Sequence, residues 1–250
     1  MPEGPSILIL KEKAQQFKGR KVIDASCNNG SLDTNILMNE TIIDFKSWGK
    51  HFLICFPNFT VRVHMMLFGS YLINEHTAKP PRLHLQFEDT KLNFYACQLQ
   101  LITQPLDEIY DWSADIMSPA WDTNKAIKKM KAIQYLLACD ALMDQQLFSG
   151  VGNIIKNEVL FRTRIHPESL LSAMPPKKIK EMIEEAILYS FEFLKQKKEG
   201  TLKRHWQIYL KKECPRDHVA VQIKETGRSH RKSYYCNLCM VKYTGTSKPL

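Results

Sequence analysis

The chain has 250 residues, 44% of them apolar, and carries a net charge of +9 at neutral pH. That apolar content is ample for a buried core and excludes a disordered chain, while the lack of any run of 18 apolar residues leaves no membrane-spanning helix to expect. The charge is one-sided: residues 121–250 hold 24 of the 35 Lys and Arg but only 13 of the 26 Asp and Glu, which points to a polyanionic partner, nucleic acid first.

The chain opens Met1-Pro2-Glu3-Gly4-Pro5. Removal of Met1 would leave the secondary amine of Pro2 as the N-terminus. A free α-amine has a reference pKa of about 7.7–8.0, so a useful fraction is neutral and nucleophilic at working pH. On a sugar aldehyde carbon it would form an iminium, an electron sink, with Glu3 beside it to move protons. Many chains begin Met-Pro, so the motif gains weight only from signals further along the chain.

Residues 3–17 set Ile7, Leu8, Leu10 and Ala14 among Lys and Gln, which predicts a first helix ending before Gly19. From 21 to about 105 the pattern becomes β. Runs at 41–44, 51–56, 60–64, 70–74, 82–87 and 92–102 read as strands, punctuated by Pro57-Asn58, Pro80-Pro81 and Asp89-Thr90. This spacing predicts an antiparallel β-sandwich. On residues alone, Met66, Leu67 and Phe68 read as core strand.

Residues 110–122 form a polar connection and an expected boundary. Beyond it Ile127, Met130, Ile133, Leu136 and Leu137 predict an amphipathic helix. The helix-rich stretch 144–162 is broken by Ser149-Gly150-Val151-Gly152. A helix opening at Asn153 offers its unpaired N-terminal amides to phosphate, and the glycines let the backbone approach. A third helix is predicted from Pro175-Pro176 to Lys198, stopped by Gly200.

Of seven cysteines, Cys27, Cys55, Cys97 and Cys139 stand singly and read as buried free thiols. The others belong to Cys214-x3-His218-x17-Cys236-x2-Cys239, two ligand pairs that fit one tetrahedral, structural zinc. Zinc would stabilise a tail too short and polar to fold by burial. Arg228, His230, Arg231 and Lys232 fall between the pairs, near the tip of an expected hairpin, where a rigid Arg suits phosphate.

Pro2-Glu3-Gly4-Pro5, Trp48-Gly49-Lys50-His51-Phe52-Leu53, the segment 142–162 and the C-terminal cluster follow one another in an order that resembles the formamidopyrimidine-DNA glycosylase/endonuclease VIII family over essentially the whole chain. The resemblance implies an α+β fold: an N-terminal helix with an antiparallel β-sandwich over 1–120, a helix–two-turn–helix DNA-binding domain over 121–212 and a zinc finger over 213–250. It implies an intracellular, monomeric DNA glycosylase and AP lyase of base excision repair, with damaged DNA as partner and one structural zinc ion as cofactor.

Residue by residue, the resemblance makes Pro2 the nucleophile on C1′ of the damaged nucleotide and Glu3 the acid/base. It places Lys50 in the catalytic set as a contact to phosphate near the lesion. Asn153 and Arg231 become phosphate ligands, and Glu158 an acidic position of structural use. Met66, Leu67 and Phe68 become the side chains that fill the hole left by a flipped base. Ser6 stands where many relatives carry Glu, and the Cys-His-Cys-Cys set looks like one endonuclease VIII-like branch. Purine-specific relatives carry a longer loop where this chain has only 13 residues between Gly200 and Cys214, so the resemblance favours oxidised pyrimidines. Two readings stay open beside it: a non-catalytic nucleic-acid binder on the same scaffold, and a glycosylase for oxidised purines.

Overall fold

A computed structural model describes residues 2–133 and 135–245, and divides the chain into two units, Met1–Tyr110 and Asp111–Leu250. In the first, Glu3 stands as an extended N-cap and Pro5 sits in the opening turn of α1 (Gly4–Ala14), where its missing N–H costs no helical hydrogen bond. The helix turns Ile7, Leu10 and Ala14 into the core.

Six strands follow: β1 (Asp24–Cys27), β2 (Asp44–Trp48), β3 (His51–Cys55), β4 (Thr60–Ile73), β5 (Leu83–Gln86) and β6 (Lys91–Ile102). They form one antiparallel ladder in the order β1-β5-β6-β4-β3-β2. The ladder bends over on itself. Phe52 pairs through Val63 to Leu99, five positions along β6 from Phe94. In a flat sheet that offset spans about 17 Å, yet the rings of Phe52 and Phe94 lie 5.8 Å apart. Phe45 stacks on Phe52 at 5.5 Å, and Phe17 on Phe87 at 4.8 Å. The two halves of the sheet thus enclose one aromatic core, the layered arrangement that the strand spacing predicts.

Two expectations shift. Residues 60–64 and 70–74 are not separate strands but parts of the 14-residue β4, whose register breaks between Met65 and Ser70. The strand expected at 41–44 begins only at Asp44, because Ile42 is drawn out of the ladder into the core by the Arg20–Ile42 backbone pairing.

A short α2 (Leu106–Ile109) closes the first unit. The second opens with α3 (Thr123–Lys131), capped by the Asp122 carboxylate, which accepts from the Lys125 amide at 3.0 Å. The single helix expected through 137 is instead α3 followed by α4 (Ala138–Met143), since Tyr135 takes a left-handed φ of +57° that no helix continues through. Then come α5 (Asn153–Arg162) and α6 (Pro176–Lys198), with Gly200 left-handed at φ +72° as the stop. The hairpin β7 (Gln222–Thr226) and β8 (Arg231–Tyr235) ends the unit.

Phe148, Phe161, Tyr189 and Phe193 share one core with Tyr234, Tyr235 and Cys236, so the hairpin packs as part of the helical unit. Arg162 bridges Glu185 at 3.0 Å and Glu192 at 2.8 Å while lying over the Tyr189 ring. Among the described residues no helix is long and apolar enough to cross a membrane. Because Phe52 joins both halves of the bent sheet, Phe52→Ala is expected to destabilise the first unit by about 3–5 kcal/mol. Chemical denaturation followed by tryptophan fluorescence checks this, and a loss below about 1 kcal/mol would show that the sheet closes without it.

Candidate functional site

Pro2 is half-buried at the head of α1, and Glu3 is buried, with its carbonyl accepting from the Ser6 amide at 2.8 Å. Burying an acidic side chain is costly unless it is paired or hydrogen-bonded.

Lys50 occupies the two-residue turn Gly49-Lys50 between β2 and β3, with Gly49 at φ +52° as such a turn requires. The turn rests on an aromatic platform. Trp48 lies 5.5 Å from His51 and 5.2 Å from Tyr110, and His51 meets His64 edge-on at 5.3 Å across the β3–β4 ladder. Burial, then the charges of Arg62, His64 and Lys50, pushes the His51 imidazole down to about 3, so it is neutral at working pH. Burial also pushes the His64 imidazole down, and the two rings pack together beneath the turn. Sequence reasoning missed this pair; its only signal is that both histidines fall on the same face of adjacent strands.

Met66, Leu67 and Phe68 do not lie in the core. Four residues, 66–69, bulge out of β4 while β6 opposes them with Ala96 alone, at φ +46°. The three side chains are 42%, 53% and 83% exposed, in rising order toward Phe68. An unpaired apolar tip of this kind is what a hole in a base stack accepts. Gly69 makes the bulge possible: a Cβ there would lie 2.8 Å from the Met65 Cβ and 2.9 Å from the Met66 amide nitrogen.

In the second unit, Gly150 is left-handed at φ +100° and Gly152 caps α5. Gln145 braces the turn, donating to the carbonyls of Met143 and Val151 and accepting from the Gly150 amide at 3.2 Å. Asn153 then donates from Nδ2 to the Lys232 carbonyl at 3.1 Å. One residue away on β8 stands Arg231, exposed, so the structure brings these two expected phosphate ligands onto one patch. Further contacts seat the hairpin. Asn157 donates to Lys232 and accepts from the Tyr234 amide at 2.8 Å, and the buried Lys156 ammonium donates to Ser233 Oγ at 2.8 Å. Asp140 accepts from the Arg228 amide at 2.7 Å. Glu158, fully buried, accepts from three successive amides, those of Gln207, Ile208 and Tyr209, at 2.9–3.0 Å.

The three expected thiols converge, but His218 does not join them. Its side chain is 76% exposed, with Nδ1 3.0 Å from Glu213 Oε1. The fourth group in the cluster is Asp217, and donor atoms of Cys214, Asp217, Cys236 and Cys239 all lie within 4.8 Å of one another. Cys214 and Cys239 sulfurs are 3.8 Å apart, and Asp217 Oδ2 is 3.5 Å from Cys214 Sγ and 3.2 Å from Cys236 Sγ. With Zn–S near 2.3 Å and Zn–O near 2.0 Å, the edges of a tetrahedron are about 3.5–3.8 Å. The three thiols are of the donor type zinc takes, and the spacings around them are those of a zinc site. The spacing rule that found the thiols counts Cys and His only, which is why Asp217 went unread.

Replacing Gly69 by Ala should displace Met66–Phe68. DNA containing an abasic analogue is expected to bind the Gly69→Ala protein at least tenfold more weakly, with intact DNA far less affected; equal loss on both would deny the bulge a lesion-specific role.

Residues 1–98 match the formamidopyrimidine-DNA glycosylase N-terminal domain, and residues 114–201 match the formamidopyrimidine-DNA glycosylase H2TH domain. Endonuclease 8-like 2 of Homo sapiens is 31% identical over 267 residues, covering 95% of this chain and 75% of that protein. The Mus musculus counterpart is 34% identical over 196 residues, 72% of this chain, and there the match spans just 57% of the relative's length. Two solved structures share the fold: a viral DNA glycosylase, with TM-score 0.82, 21% identity and coverage of 96% of this chain and all of that one, and the Lactococcus lactis formamidopyrimidine-DNA glycosylase bound non-covalently to DNA containing an AP site, with TM-score 0.85, 20% identity and the same coverage.

Proposed function

We infer function from kinship and geometry together, because the chain belongs to the formamidopyrimidine-DNA glycosylase/endonuclease VIII family, in its endonuclease VIII-like branch. We propose that it is a base excision repair enzyme that removes oxidised pyrimidines and cuts the strand at the resulting site. The observation that carries this is Pro2 at the head of α1 beside the buried Glu3.

In the proposed reaction the Pro2 nitrogen bonds to C1′ as the glycosidic bond breaks, and the base leaves with a proton. The iminium that forms on opening the sugar draws electrons from the adjacent carbon. Loss of a C2′ proton then expels the 3′ phosphate, and a second elimination expels the 5′ phosphate. Hydrolysis of the iminium frees Pro2. Glu3 carries the protons, in the manner of a buried carboxyl general acid/base. Lys50, Asn153 and Arg231 hold phosphates, and Met66–Phe68 occupy the gap in the stack. The preference for pyrimidines is supported by the shortness of the segment between Gly200 and Cys214, 13 residues, whose amides at 207–209 are tied to Glu158.

Zinc, when bound, orders the end of the chain and takes no part in the chemistry. We assign its ligands as Cys214, His218, Cys236 and Cys239. The Asp217 carboxylate accepts from the Cys214 and Cys236 thiols, a contact that needs those thiols protonated. Zinc takes cysteine as thiolate, which has no proton to donate, and three thiolates beside a carboxylate repel. A neutral imidazole one residue along, His218, is then the better fourth donor. His218→Ala is expected to lower zinc from one per chain, with Asp217→Asn staying near one by metal analysis; the reverse pattern would make Asp217 the ligand.

The function itself is tested on matched duplexes carrying an oxidised pyrimidine or an oxidised purine. The expected result is release of the pyrimidine, with Glu3→Gln slowing it roughly 10²–10⁴-fold while DNA affinity is kept. Faster release of the purine would reverse the lesion assignment, and unaltered rate in Glu3→Gln would remove Glu3 from the chemistry.

A further inference from the structure

Beside the Met66 bulge, the outer face of β4 and β6 carries a recess of about 600 Å³ that none of the roles above uses. Its lining includes Arg62, Arg82, Gln98, Gln100 and Met66, two guanidinium groups and no carboxylate. Cross-strand pairing sets Arg62 opposite Gln100, so a charge and an amide face the same space. Arg82 enters from the start of β5, its backbone amide tied to the Phe94 carbonyl at 2.7 Å. Its Nε is buried and has no hydrogen-bond partner among the described residues. A buried guanidinium N–H left unpaired is expensive, and an anion against the same guanidinium would offset part of that cost. The left-handed turn at Ala96 and the bulge opposite it shape the floor.

We propose that this recess is a phosphate subsite, in which Arg82 and Arg62 grip a backbone phosphate of the DNA whose stack the neighbouring Met66–Phe68 tip enters. The forked donors of Arg match two phosphate oxygens, and the glutamine amides supply further neutral donors. The proposal rests on the DNA-repair reading of the bulge and adds to it a contact made from the sheet face of the first unit.

The test measures affinity for a duplex with an abasic analogue across a salt series. One phosphate contact contributes about 0.9 to the slope of log K against log salt. Arg82→Gln is expected to bind about tenfold more weakly at low salt and to reduce the slope by about 1. Arg82→Lys should restore the slope, since it returns the charge. Gln98→Glu, an exposed strand position that puts a carboxylate into the recess, should weaken binding without touching the fold, and it decides the matter if Arg82→Gln fails to fold. Unchanged affinity and slope in Arg82→Gln and Gln98→Glu would overturn the subsite. Base release by the parent protein is scored separately: release with unchanged slopes overturns the subsite alone, and reduced slopes with no release keep the subsite and overturn the repair reading.

Discussion

In the reading proposed above, Pro2 becomes the chain's end once Met1 is removed, and a nucleophile placed there would have no preceding residue to hold it. Here α1 does the holding. Gly4 and Pro5 start the helix at once, and Ile7, Leu10 and Ala14 commit its inner face to the core of the bent sheet. Each buried aliphatic side chain of this kind stabilises by roughly 1.5–3 kcal/mol, which is enough to fix the first turn. Glu3, buried at that turn, is placed by the same packing. The sheet that receives α1 is the one whose β2–β3 turn presents Lys50 and whose β4 bulge presents Met66–Phe68, so one core positions all three features of the first unit.

The second unit is built on a different principle. Its hairpin is seated on α4 and α5 as much by polar groups as by apolar ones: Asp140, Asn153, Lys156 and Asn157 each find a partner on 228–234. Buried polar groups specify geometry because each costs free energy when unmatched. That is a fitting way to hold an arginine-bearing tip against a helix N-terminus, where a shift of one residue would separate Asn153 from Arg231. The thiol cluster lies at the base of the same hairpin, and the Glu158 carboxylate fixes the segment that leads into it.

Much of this was legible in the chain. Gly150-Val151-Gly152 before a helix, the paired prolines and glycine around α6, and the β-rich run at 51–56 are local signals, and the structure keeps them. What escaped was nonlocal or against pattern. Met66–Phe68 looks like core strand because only the register break against β6 turns it outward. Tyr135 breaks the helix expected through 137 by a backbone angle that its side chain does not announce. Lys156 is buried where periodicity would put a hydrophobe, because Ser233 and the Lys232 carbonyl lie 75–80 positions away in the sequence yet directly over it. Asp217 entered the thiol cluster through thiol hydrogen bonds that no ligand-spacing rule counts.

The central claim is that the amine of Pro2 carries the chemistry. Borohydride reduction of the full protein on DNA with a single abasic site, followed by intact mass and peptide mapping, tests it most directly. The account predicts a covalent protein–DNA adduct at Pro2 from chains that have lost Met1, and none from chains that keep it. An adduct mapped to a lysine, or undiminished trapping by chains that retain Met1, would contradict it.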